Sequence, residues 1–340
     1  MFQRILVPLD GSERAERALP LAARIAHATG GTIILIQVVS IPIGYEPYLT
    51  QSSACMQRVT GSEMAARHYL AEIATSEILS GIPTEIEVLH GAPALSITDA
   101  LHKFHIDLAI LCSHGRTGIK RWIMGSVAQQ LIKHSSAPVL ILREDGSLPL
   151  DSYPDATRPL RAFAATIALD GSERALSTLE PAAHLVAALA APARGLLHVT
   201  QVVPLPPESE LHDKDSIDHA AREQAVCQVK KYLGRIADTL REGLAKELKL
   251  NVSWSITVDP DIANSLIEVA EKGEVTGGTR IAGGCDMLAM TTHGRGGIKP
   301  RILGTVTERV LGATRLPLLV VRPQASKAQR TFAEQTVITL

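Results

Sequence analysis

The sequence predicts an α/β protein built from two tandem copies of one doubly wound parallel-sheet unit. Three observations carry this expectation. A pair of motifs recurs in the same order in both halves. Short apolar runs of strand length alternate with amphipathic runs of helix length. Hydrophobic content is 46% with only 3% aromatics, so the core is built from Ala, Val, Ile and Leu. Aliphatic cores of that kind suit parallel sheets covered by helices on both faces. The 340 residues leave room for two domains of ordinary size.

The repeat is direct. LDGSERA stands at 9–15 and again at 169–175. CSHGRTGIKRWIMGSVAQQLI at 112–132 is answered by TTHGRGGIKPRILGTVTERVL at 291–311. Each is followed by a proline and an apolar run, Pro138-VLILR and Pro317-LLVVR. The offset of roughly 160 to 180 residues indicates duplicated domains and not a solenoid. Between the copies, 145–160 is rich in Pro, Asp, Ser and Gly, the composition of a surface linker. The expected division is domain 1 at 1–144, linker 145–160, domain 2 at 161–323 and a tail at 324–340.

In the first half ILVPL at 5–9 reads as a buried strand ending in an Asp-Gly-Ser turn. Residues 13–29 place Ala15, Ala18, Leu19, Ala22, Ile25 and Ala26 at helical spacing, and Gly30-Gly31 stops that helix. TIILIQVV at 32–39 is a strand, 53–80 is mostly helical, and TEIEVLH at 84–90 is a strand. A helix at 94–104, a strand LAILC at 108–112, a helix at 126–134 and a last strand VLILR complete the unit. Strands alternating with helices imply right-handed crossovers and a parallel sheet. The second half repeats this order with two enlargements: a charged segment at 205–247 and a Gly-rich mobile loop or hairpin at 271–286.

The balance of charge narrows the function. With 34 basic and 35 acidic residues the net charge is -1, which gives no bulk case for nucleic acid or a membrane surface. Cys55, Cys112, Cys227 and Cys285 form no C-x-x-C pair and read as reduced thiols, with no metal site implied. No run approaches the roughly 20 apolar residues of a membrane helix, and the N-terminus turns polar too early for a signal peptide. A cytoplasmic protein is expected. No G-x-x-x-x-G-K-(S/T) occurs, and no G-x-G-x-x-G follows the first strand.

Two motifs carry chemistry. The first is Asp10, or Asp170, at a strand's carboxyl end. Such a carboxylate can accept from a ribose hydroxyl or a base amine; Asp-Gly-Ser-Glu equally fits a helix-capping pattern. The second is a (S/T)HG turn followed by nine residues, then Gly125-Ser126 or Gly304-Thr305 before a helix. Glycines admit close backbone approach and positive φ, and the helix N-terminus offers unpaired N–H groups to a phosphate. Ser126-x-x-Gln129 and Thr305-x-x-Glu308 also fit capping boxes. Arg116, Lys120, Arg121, Arg295, Lys299 and Arg301 lie in these loops. His114 and His293 read as turn histidines, so no catalytic residue is expected.

VPLDGS, SHGRTG, Gly-Ser before a helix and a Pro-led last strand together resemble the universal stress protein family, twice over, as in a tandem-type member. The resemblance implies a five-stranded sheet of order 3-2-1-4-5 in each half, the adenine nucleotide alpha hydrolase-like fold. It implies ATP or AMP as ligand, with Mg accompanying ATP. In the first half it assigns Pro8, Leu9, Asp10 and Val38 to base and ribose, and Gly115, Gly118, Gly125, Ser126 and Val127 to phosphates. The second-half counterparts are Leu169, Asp170, Val202, Gly294, Gly297, Gly304, Thr305 and Val306. The family's first turn glycine is replaced by Cys112 and Thr291, and Pro8 is answered by Ala168, so the first half is the better site. The resemblance also implies pairing of the two last strands within the chain, with a homodimer as a further level. A nucleotide-dependent stress regulator or sensor is expected; a slow ATPase and an interaction module with degenerate sites are the alternatives.

Overall fold

The computed structural model describes residues 1–40, 53–113, 124–143, 163–205, 216–273, 275–276, 279–280, 284–292 and 303–323. The expected linker and tail lie outside the described residues. The chain divides into two compact units, Met1–Leu150 and Asp151–Leu340.

Unit 1 runs β1 (Arg4–Leu9), α1 (Glu13–Glu16), α2 (Leu19–Thr29), β2 (Thr32–Val39), α3 (Ser53–Ala74), a 3-10 turn at Glu77–Leu79, β3 (Thr84–His90), α4 (Pro93–Lys103), β4 (Leu108–Cys112), α5 (Ser126–His134) and β5 (Val139–Leu142). Its strands are parallel and ordered β3-β2-β1-β4-β5. Ile5, Leu6 and Val7 of β1, Ile33 to Ile36 of β2, and Leu108, Ala109 and Ile110 of β4 are wholly buried. Each such Leu, Ile or Val contributes about 1.5–3 kcal/mol of apolar transfer. Burial on both faces is why these strands read as continuous apolar runs.

Unit 2 repeats the plan with β6 (Ala164–Ala168), α6 (Glu173–Leu176), α7 (Leu179–Ala190), β7 (Leu196–Val203), α8 (Ser216–Glu242), α9 (Leu244–Glu247), β8 (Asn251–Val258), α10 (Ile262–Lys272), β9 (Val275–Thr276), β10 (Thr279–Arg280), β11 (Met287–Thr291), α11 (Thr305–Ala313) and β12 (Leu318–Val321). Its parallel strands are ordered β8-β7-β6-β11-β12, the same topology. The Gly-rich insertion holds a hairpin, β9 antiparallel to β10.

The single helix expected over 13–29 is two helices. Pro20 has no N–H to give the Glu16 carbonyl, so α1 cannot continue into α2. Pro181 breaks α6 from α7 in the same way, at the Ser177 carbonyl.

In both units the strand order reverses between the first and fourth strands. Asp107, just before β4, fixes that junction: its carboxylate accepts from Gln3 N at 2.7 Å and Arg4 N at 3.1 Å. Asp286, before β11, accepts from Ala164 N at 2.8 Å. Open parallel sheets bind ligands outside the strands' carboxyl ends at such a reversal.

Candidate functional site

The turn after β1 is built by its own side chains. Asp10 Oδ1 accepts from Ser12 N at 3.1 Å and from Ser12 Oγ at 2.6 Å. Ser12 Oγ in turn accepts from Ala15 N at 3.3 Å and caps α1. Asp170, Ser172 and Ala175 repeat the arrangement at 3.0, 2.6 and 3.3 Å. The helix cap is therefore the serine, two residues after the aspartate that the Asp-Gly-Ser-Glu pattern suggested. Gly11 and Gly171 both have φ of 80°, which a side chain rarely adopts. The turn keeps its aspartate at the mouth of the strand.

The second turn is tied at its neck. Ser113 N donates to Leu142 O at 2.8 Å, and Gly125 N donates to Ser113 O at 2.8 Å. In unit 2 Thr292 N donates to Val321 O and Gly304 N to Thr292 O, both at 3.0 Å. Thr307 Oγ1 adds a buried bond to Thr291 O at 3.0 Å. Gly115, Gly118, Gly294, Gly297, the two turn histidines and the six basic loop residues lie outside the described residues.

The capping boxes expected at Ser126 and Thr305 do not form. Ser126 and Thr305 are the first helical residues; Gly125 and Gly304 take the cap position, and neither helix has a side-chain cap bond. Gly125 and Gly304 have φ of -58° and -63°, so positive φ is not their reason. For Gly304 the reason is space, since a Cβ there would stand 3.1 Å from Thr292 O. The cap residues of α5 and α11 thus offer no side-chain acceptor to the first-turn N–H groups, which carry the positive end of the helix dipole.

The register places the remaining candidates. Leu9 of β1 pairs with Gln37 of β2, so Val38 stands level with Asp10. Pro8 pairs with Ile36, as Ala168 pairs with Thr200, so Val202 holds in β7 the place of Val38 in β2. Leu9, Asp10 and Val38 sit at neighbouring strand ends, with Gly125, Ser126 and Val127 opening α5 beyond β4. The units differ in openness. Val38 and Cys112 are partly exposed, whereas Val202 is 6% and Thr291 7% exposed.

Two further polar groups stand out, one near the Asp10 turn and one inside the unit 2 sheet. In unit 1 Tyr69 of α3 donates to Glu16 Oε1 of α1 at 2.8 Å. Burial, then the Glu16 bond and the Glu16 and Asp10 charges, hold the Tyr69 hydroxyl above its ordinary range. In unit 2 His198, 2% exposed, meets Ser253 Oγ at 3.0 Å through Nδ1 and Ser255 Oγ at 2.9 Å through Nε2. Burial lowers its pKa to about 4. Among the described residues no group of three or more His, Cys, Asp or Glu can hold a metal ion. No described helix is long and apolar enough to cross a membrane.

Sequence reasoning missed three things here: the Asp107 and Asp286 ties, the His198 network, and Gln37 with Gln201. The repeat held a signal for the first, since Asp107 and Asp286 precede aligned strands. It held one for the third, since Gln-Val-Val recurs at 37–39 and 201–203.

Comparison with known proteins decides the family. Residues 1–143 and residues 165–322 each match the model of the universal stress protein family. This chain belongs to the universal stress protein family. It is a tandem member, with one match in each unit. A universal stress protein of Methanocaldococcus jannaschii is 26% identical over 144 residues, 42% of this chain and 84% of that protein. The crystal structure of a universal stress protein from Archaeoglobus fulgidus resembles the tandem chain with a TM-score of 0.58 at 19% identity, covering 95% of this chain and 99% of that one. A functionally unknown protein from Pseudomonas aeruginosa PAO1 follows at 0.52 and 15%, covering 99% and 98%. At these identities the structural likeness speaks to the fold alone.

Proposed function

We propose that this tandem universal stress protein binds an adenine nucleotide, ATP or AMP, and acts in the cytoplasm as a nucleotide-dependent regulator or sensor in stress response. The observation that carries the reading is the pairing of two features across the strand-order reversal. On one side, a rigid turn holds Asp10 at the end of β1. On the other, the neck-tied turn after β4 leads into a helix whose first N–H groups lack a side-chain cap. Pro8, Leu9, Asp10 and Val38 would take base and ribose, and Gly125, Ser126 and Val127, with Gly115 and Gly118, the phosphates. A helix N-terminus suits a phosphate and a strand-end carboxylate suits a ribose, so the residues fit the ligand. The described residues supply no carboxylate cluster for a resident metal, so Mg would arrive with the ATP phosphates.

Unit 1 is the better site, because its strand ends are the more open. The buried Val202 and Thr291 favour a second reading for unit 2: an interaction module whose nucleotide site has closed. Leu169, Asp170, Gly294, Gly297, Gly304, Thr305 and Val306 would then be retained for fold. Pairing of Val139–Leu142 with Leu318–Val321 within the chain belongs to the same proposal and is checked by cysteine cross-linking between the two strands; a homodimer beyond it is checked by light scattering with and without nucleotide.

The test is direct. The purified chain is denatured and any released nucleotide identified, then the protein is titrated with ATP and AMP by calorimetry. Bound adenine nucleotide, or saturable heat with one dominant site, supports the reading. No released nucleotide and no heat at millimolar ligand overturns it. Steady ADP release would move the assignment to a slow ATPase.

A further inference from the structure

Gln37 sits on β2 directly beside the proposed site, opposite Leu9 and one residue before Val38. Its side chain reaches the Asp10 turn: a Cβ on Gly11 would lie 3.9 Å from Gln37 Nε2. Its Oε1 is buried, and no donor reaches it among the described residues. Gln201 of β7 is the counterpart, 5% exposed, and its Oε1 is also buried without a donor. Buried carboxamide oxygens are ordinarily bonded, because losing water without gaining a donor costs free energy. Here the same orphan occurs twice.

Packing does not account for it. The two strands have diverged around these positions. Ile34 and Ile36 of β2 are replaced by His198 and Thr200 of β7, while Gln-Val-Val is kept. A strand end that needed only to fill space would take an aliphatic residue at no polar cost. The retained group offers an acceptor and a donor side by side.

We infer that Gln37 is the base-reading side chain of the nucleotide site, with Gln201 as its unit 2 counterpart, and that it selects 6-amino over 6-keto purines. The inference rests on the nucleotide reading of the preceding section. A carboxamide matches adenine's N7 edge, because its oxygen accepts from the exocyclic amine while its NH2 donates to N7. A 6-keto purine sets its own oxygen against Oε1. On the N7 edge, turning the amide over to meet that oxygen sets Oε1 against N7, which carries no proton, so the other end stays unmatched. A matched pair of this kind discriminates by roughly 5- to 150-fold.

The experiment compares ATP with ITP, which differ only in that amine and the adjoining ring proton. The intact chain is titrated calorimetrically with each, as wild type and as Gln37→Met and Gln201→Met. Wild type is expected to prefer ATP by about tenfold or more. Gln37→Met removes that preference by weakening ATP while leaving ITP nearly unchanged. Gln201→Met leaves the stronger site alone. Equal affinity of wild type for ATP and ITP overturns the inference while the nucleotide reading stands, and needs no variant. So does an undiminished ATP preference in folded Gln37→Met, checked by circular dichroism. If wild type binds neither nucleotide, the functional reading itself falls.

Discussion

Acid should loosen unit 2 through one residue, His198. Its ring is buried between Ser253 and Ser255, and Ser255 Oγ also meets Thr200 Oγ1 at 2.9 Å. A neutral ring suits this chain, donating at one nitrogen and accepting at the other. A protonated ring donates at both, so one serine must reverse inside the core. Burial sets the folded pKa to about 4, against 6.5 in the unfolded chain. Below 6.5 the unfolded state therefore binds a proton that the folded state refuses. Stability is fully present above about pH 6.5 and falls as pH drops towards 4. The linkage integral gives a loss of about 2 kcal/mol at pH 5 and about 3 kcal/mol near pH 4. The assay is urea unfolding from pH 7.5 to 4.5, comparing wild type with His198→Gln, which keeps a donor and an acceptor but does not titrate. Trp254 lies between the two serines on β8, and the chain's other tryptophan is Trp122. In a Trp122→Phe background, fluorescence follows unit 2 alone. The difference between the two proteins should shrink or invert by about 2 kcal/mol from pH 7 to 5. Parallel curves for the two would refute the reasoning, since the ring would then titrate alike in both states.

Two further outcomes follow from the geometry. Gly125→Val puts a branched side chain at the neck of the turn, and calorimetry should show loss of the unit 1 nucleotide site; unchanged affinity would place the ligand elsewhere. Asp107→Ala removes the acceptor for Gln3 N and Arg4 N, and urea unfolding should show unit 1 destabilised by about 2 kcal/mol; a change within a few tenths would show that these N–H groups find water.

The fold was legible because the central strands are covered on both faces. β1, β2 and β4 then read as unbroken aliphatic runs, and the repeat doubled every signal. Local capping was less legible. Asp10-Gly-Ser-Glu and Ser126-x-x-Gln both look like N-terminal boxes, yet Ser12 and Gly125 hold the cap positions. A cap pattern says which residue types can bond an N–H. The strand's exit direction and the room beside its neighbour decide which one does. The helix break was legible in principle from Pro20, but helical spacing continues through it, because α1 and α2 bury the same face. His198 was hidden for the opposite reason. One histidine in an apolar strand reveals no partners, and Ser253 and Ser255 come from a strand more than fifty residues on.

The two units have kept one backbone plan and changed the chemistry on it. At aligned places on the second strand, Ile34 and Ile36 in unit 1 correspond to His198 and Thr200 in unit 2. At the strand ends, the partly exposed Val38 and Cys112 correspond to the buried Val202 and Thr291. His198 and Thr200 add hydrogen bonds within β7, and Thr291 stands buried at the strand end where Cys112 of unit 1 is partly exposed. A hydroxyl-rich interior bound to one histidine is stable only while that ring stays neutral, which ties unit 2 to pH. An open strand end, with a carboxamide oxygen beside Asp10 that no described residue satisfies, on the proposed reading ties unit 1 to a nucleotide. Duplication lets both dependences exist in one chain, because neither set of substitutions has to serve the other's site.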